Sequence, residues 1–80
     1  GKEDGAVVEY WNNGQLRKKG NYKNGKRDGE WVRYHANGQL QHKGNYKNGK
    51  REGDWVGYKP DGTVDKNNSG TFKNGKKVSD

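Results

Sequence analysis

The sequence predicts an all-β protein: a single-layer antiparallel meander of about six strands, assembled from repeated β-hairpins. Three observations predict it. Residues recur at a period of 24, with Tyr10, Tyr34 and Tyr58, then Gly14, Gly38 and Gly62, then Leu16, Leu40 and Val64 in step. Asn-Gly turn signals punctuate the chain at Asn13-Gly14, Asn24-Gly25, Asn37-Gly38, Asn48-Gly49 and Asn74-Gly75. The segments between them are rich in Trp, Val and Tyr interleaved with polar residues, and none carries a helical period.

The elements follow in order. Strands are expected at residues 6–12, 15–23, 30–36, 39–47, 54–59 and 63–73, the last interrupted by Asp65-Lys66-Asn67-Asn68-Ser69. Asn-Gly suits a two-residue type I′ turn, because Gly has no Cβ and Asn tolerates the left-handed region. Short connections make each strand antiparallel to the next. Three repeats result, at about 5–28, 29–52 and 53–80, forming one array extended along one axis.

Register at Asn37-Gly38 sets the faces. A two-residue turn pairs Ala36 with Gln39, His35 with Leu40 and Trp31 with Gly44, laying the indole over a glycine with Tyr46 and Leu40 on its face. A three-residue loop groups Val32, Tyr34, Leu40, Gly44 and Tyr46 and sends Trp31 to the other side. The first is preferred because it explains why Trp and Gly recur together. Gly1-Lys2-Glu3-Asp4-Gly5 aligns with Gly25-Lys26-Arg27-Asp28-Gly29, so the chain is expected to open within a turn of a longer array and to end near that array's C-terminus.

Composition limits the core. Leu, Ile, Val and Phe are scarce, and 34% of residues are charged, a balance that in an aperiodic chain signals disorder. The regular spacing of fourteen glycines argues against that here. Apolar groups fall on both sides of the expected sheet, and no segment remains to cover either. With no cysteine, disulfides, thiolate metal sites and cysteine nucleophiles are excluded. No apolar run reaches the length of a membrane-spanning helix.

The unit Gly20-x-Tyr22-x-Asn24-Gly25-Lys26-Arg27-x-Gly29-x-Trp31, followed by Tyr34-x-x-Asn37-Gly38-x-Leu40, resembles the MORN repeat, closest to its bacterial variant. The resemblance covers essentially the whole chain. Val7 stands where other copies have Trp, Gly57 replaces Arg33, and Ser79 replaces a glycine. The resemblance implies a non-catalytic scaffold that binds proteins, self-associates or meets phospholipid. It also implies an immunity or antitoxin role for some bacterial relatives.

Candidate chemistry is sparse. Residues 20–27 and 44–51 both read GNYKNGKR, most of a phosphate-binding loop. That motif needs a strand before it, a helix after it and a Ser or Thr for magnesium; here Arg27 and Arg51 fill that place and a turn and strand follow. No cofactor is expected. Ser69 and Ser79 lie in the insertion and at the end, without an oriented base. His35 and His42 fall short of a metal site. Asp28, Glu30, Glu52 and Asp54 balance Lys26-Arg27 and Lys50-Arg51.

Binding remains. Net charge is +7, and Arg17, Lys19 and Lys23, with Lys43 and Lys47, are expected to form a basic stripe for an anionic lipid surface. Trp31, Arg33, Tyr34, Trp55 and Tyr58 are expected to be exposed anchors for a protein partner, the leading reading. Nucleic acid ranks below both, since no RNA- or DNA-binding motif is present.

Overall fold

A computed structural model describes residues 4–80. Strands β1 (Gly5–Tyr10), β2 (Leu16–Lys23), β3 (Lys26–Tyr34), β4 (Leu40–Lys47), β5 (Lys50–Gly57), β6 (Gly70–Lys73) and β7 (Lys76–Ser79) form one seven-stranded sheet. Each strand is antiparallel to its sequence neighbours. The array is a slab 39 × 35 × 12 Å, one sheet thick. The turn alignment proposed for Gly1-Lys2-Glu3 lies outside the described residues.

Seven strands replace the six expected. Pairing resumes at once after the tight turns, at Lys23↔Lys26, Lys47↔Lys50 and Lys73↔Lys76, so β3 and β5 start earlier and β7 is added. The expected strand at 63–73 is mostly something else. It begins as an isolated Tyr58↔Val64 bridge and continues as a 3-10 turn, Lys66–Asn68, before β6. Asp65 caps that turn by accepting from the Asn67 N–H at 3.0 Å.

The Asn-Gly signals encode two different turns. At Asn24, Asn48 and Asn74, φ is 53°, 53° and 51°, and the following glycines are also positive, as a two-residue I′ turn requires. At Asn13-Gly14, Asn37-Gly38 and Asp61-Gly62 only the glycine has positive φ. There the Asn or Asp oxygen accepts the N–H two residues on, from Gln15, Gln39 or Thr63, at 2.9–3.0 Å.

This corrects the register at Asn37-Gly38. The loop is the three-residue kind, closed by the His35 N–H on the Gln39 carbonyl, and Tyr34 pairs with Leu40. His35 does not pair with Leu40. A bulge at Gln41 then absorbs one residue, so Arg33 pairs with His42 and Trp31 still pairs with Gly44. Trp31 keeps the face it shares with Tyr46, while Leu40 turns away with Tyr34.

The core is a row of rings on one face. Trp31, Trp55 and Phe72 are 4%, 2% and 5% exposed. Tyr22, Trp31, Tyr46, Trp55 and Phe72 follow one another edge to face, with centroids 5.3, 6.1, 5.1 and 6.3 Å apart. Each such contact adds about 0.5–1.5 kcal/mol beyond the buried area. Glycine makes the row fit, though not by the expected pairing. Trp31 pairs with Gly44 but its indole lies over Gly20 on the other flank, and Trp55 lies over Gly44. A Cβ on Gly20 or Gly44 would stand 2.1 or 2.2 Å from indole carbons. The indole N–H groups donate to the Asn21 and Asn45 carbonyls at 3.0 and 3.1 Å.

Candidate interaction surface

Both faces of the sheet carry distinctive side chains, and cross-strand pairing defines the rows. On the face away from the ring stack, Val8 pairs with Lys19, Lys19 with Val32, Val32 with Lys43 and Lys43 with Val56. This row alternates valine and lysine across five strands. Val8 and Val56 are each 44% exposed. A shallow depression beside the row is lined by Ala6, Leu16, Val32 and Tyr34 together with Lys19 and Lys43.

On the ring face, Glu9, Lys18, Arg33, His42 and Gly57 form a parallel row by successive pairings. Arg51 lies over Trp55 at 4.5 Å and over Phe72 at 5.3 Å. Arg27 lies 5.3 Å from both the Trp31 and Tyr46 rings. His42 is pushed down to about 4, by burial first and then by the charges of Arg51, Arg33 and Arg27.

The predicted partner anchors are split by this geometry. Trp31 and Trp55, expected to be exposed, are the most protected side chains of the core, because glycine on the adjacent strand lets each indole lie flat on the sheet. Tyr34 and Tyr58 are half-buried at the other rim, and Arg33 sits on the ring face. Their carbonyls also knit the array. Trp11 Nε1 donates to the Tyr34 carbonyl at 3.1 Å, and His35 Nε2 lies 2.7 Å from the Tyr58 carbonyl, one period on. The contact to a carbonyl fixes His35 Nε2 as the protonated nitrogen.

The predicted basic stripe is broken at one end. Lys19 and Lys43 share the valine face, with Lys43 reaching Glu30 at 4.0 Å. Lys23 and Lys47 stand opposite Lys26 and Lys50 at the tight turns. Arg17 is left unpaired by the bulge between Glu9 and Tyr10, and it stacks over Trp11 at 4.8 Å instead.

The loop that mimics a phosphate cradle is already occupied. The Asn24 N–H donates to the Asp4 carboxylate at 2.6 Å, and the Gly49 N–H donates to the Arg27 carbonyl at 3.0 Å. Ser69 is structural: its Oγ accepts from the Gly57 N–H at 2.9 Å and donates to the Gly57 carbonyl at 3.2 Å. Among the described residues no cluster of three or more His, Asp or Glu is placed to hold a metal.

Sequence reasoning left Lys18 and His42 outside the candidate binding set and read Arg27 and Arg51 only as turn cations balanced by neighbouring carboxylates. The recurrence of Arg27 and Arg51, each four residues before a tryptophan, was the available signal. A family model described as MORN repeat variant matches residues 3–24 and 27–48. Comparison with curated proteins and with solved structures gave no match.

Proposed function

We propose that this chain, which belongs to the MORN repeat family, is a non-catalytic module that binds another protein through its valine–lysine face. MORN repeats are generally interaction modules, so a binding role is the premise and the kind of partner is the proposal. The carrying observation is the uncovered row Val8, Lys19, Val32, Lys43 and Val56, with Tyr34 beside it. Exposed apolar groups separated by cations suit a protein surface that carries an apolar ridge bordered by carboxylates. Tyr34 and Tyr58 flank that face; Trp31 and Trp55 support it from behind as core.

The test is site-specific photo-crosslinking in the source cell. A crosslinking residue at Val56 is expected to give one defined protein adduct, lost in the Lys19→Glu, Lys43→Glu double variant. The same residue at Lys73 is expected to give none. Peripheral attachment to anionic lipid through Lys19, Lys23, Lys43 and Lys47 is the competing reading. It predicts salt-sensitive pelleting with phosphatidylserine vesicles, abolished by the same double variant, and no protein adduct. That pair of results removes the protein reading.

A further inference from the structure

The ring face holds a second feature that the valine–lysine face does not need. A cleft of about 200 Å³ is lined by Lys18, Arg27, Trp31, Arg33, His42 and Arg51 among others. Four of these carry a permanent positive charge. Among the described residues, Arg27, Arg33 and Arg51 enter no ion pair, and only Lys18 does, to Glu9 at 3.2 Å. Arg33 Nε and His42 Nδ1 are buried without a hydrogen-bond partner. Buried polar atoms of this kind ordinarily find one.

Two of the arginines are stacked on rings. Arg51 lies on Trp55 and Phe72, and Arg27 on Trp31 and Tyr46. Stacking occupies the flat face of a guanidinium and leaves its N–H edge to hydrogen-bond a planar oxyanion. His42 is held neutral first by burial, and the charges of Arg51, Arg33 and Arg27 act in the same direction.

The repeat itself indicates which anion fits. One period before Arg33 stands Glu9, and its carboxylate meets Lys18 in the first repeat. In the second repeat the equivalents of Glu9 and Lys18 are Arg33 and His42, so the carboxylate is replaced by a cation. In the third, Gly57 stands in the place of Glu9, and Asn68 fills the space above it. Among the described residues, only the middle cell is both cationic and open. We propose that the cleft bounded by Lys18, Arg33, His42 and Arg51 is a carboxylate site that receives an Asp or Glu side chain from an acidic peptide segment.

A bilayer suits this face less well. The exposed Val8 and Val56 that could enter one lie on the opposite side of the sheet. The site therefore goes beyond the proposed use of the valine–lysine face and is tested apart from it.

The test titrates acetyl-hexaglutamate-amide into the isotope-labelled chain and follows the Arg33 and Arg51 Nε–H signals and the His42 ring by NMR. These signals are expected to move and saturate, and the His42 midpoint to rise as a counter-charge enters. Arg33→Gln is expected to weaken binding at least fivefold, while Lys73→Gln, with the same change in net charge, alters it less than twofold. Arg33→Lys keeps the charge without the fork and is expected to fall between. If Arg33→Gln does not fold, the Arg33→Lys variant and the signals of the unaltered chain decide the matter. Unmoved Arg33 and His42 signals at the highest peptide concentration, or equal loss in Lys73→Gln, overturn the proposal. So does tighter binding of inorganic phosphate or phosphatidylserine vesicles at the same signals. None of these results bears on the Val56 adduct.

Discussion

Gly44 illustrates how one missing Cβ organises the core. Its backbone is not in the left-handed region, so alanine there is conformationally acceptable, but the added methyl would meet the Trp55 indole at 2.2 Å. Gly44→Ala is expected to lower stability by about 3 kcal/mol in urea titration, as overpacking of a filled site does. In a Trp55→Leu background the same change should cost much less, because the clashing ring is gone. His42 makes the fold sensitive to acid. Its folded pKa of about 4 lies below the ordinary histidine value of 6.5, so between those values the unfolded chain binds a proton that the fold refuses. Stability is therefore expected to fall as pH drops from 6.5 towards 4, with no further loss from this group below that. Asp61 and Asp65 titrate below the usual carboxylate range, held there by hydrogen bonds from Thr63 and Asn68, so they act outside this window. Thermal midpoints at several pH values should show the slope, and His42→Gln should flatten it.

At the scale of elements, two hairpin turns share one dipeptide. Asn48 is used for its backbone: its φ is 53° and the turn needs two positive values. Asn37 is used for its side chain, which accepts from the Gln39 N–H and donates to the Pro60 carbonyl at 2.8 Å. Asn37→Ala removes both bonds, an expected loss of about 2 kcal/mol, and Asn37→Asp about half of that, since the acceptor survives. Asn48→Asp should be close to neutral by the same urea titration. The dipeptides were legible as turns, but their kind was not, because Asn-Gly satisfies both geometries. The Gln41 bulge was also silent in the sequence. It offsets the three-residue loop, and so both proposed registers were half right.

At the scale of the molecule, neighbouring repeats are tied at both rims. Asn13 and Asn37 donate forward to the Ala36 and Pro60 carbonyls at one rim, and the Gly49 and Gly75 N–H groups donate back to the Arg27 and Arg51 carbonyls at the other. Each repeat thus contacts chiefly its neighbours, as in other one-dimensional arrays. A slab 12 Å thick is a single sheet, so neither of its faces is covered by a second layer. The arginine cleft and the valine–lysine row are two such faces, back to back. The sheet, its period and the lysines at the tight turns were readable from spacing. The burial of Trp31 and Trp55 was not, because spacing pairs Trp31 with Gly44 but does not show that each indole lies flat on the glycine of the preceding strand.

The sequence by itself determined the hairpin repeat, the positions of the turns and the recurrence of tryptophan with glycine, because these depend on local conformation and on a 24-residue period. Only the tertiary structure decided that Trp31 covers Gly20, that Trp55 covers Gly44, and that Arg27, Arg33 and Arg51 converge around a neutral histidine. Alternation assigns faces within a strand. Turn type and bulges set how one strand meets the next, and a shift of one residue there exchanges the faces.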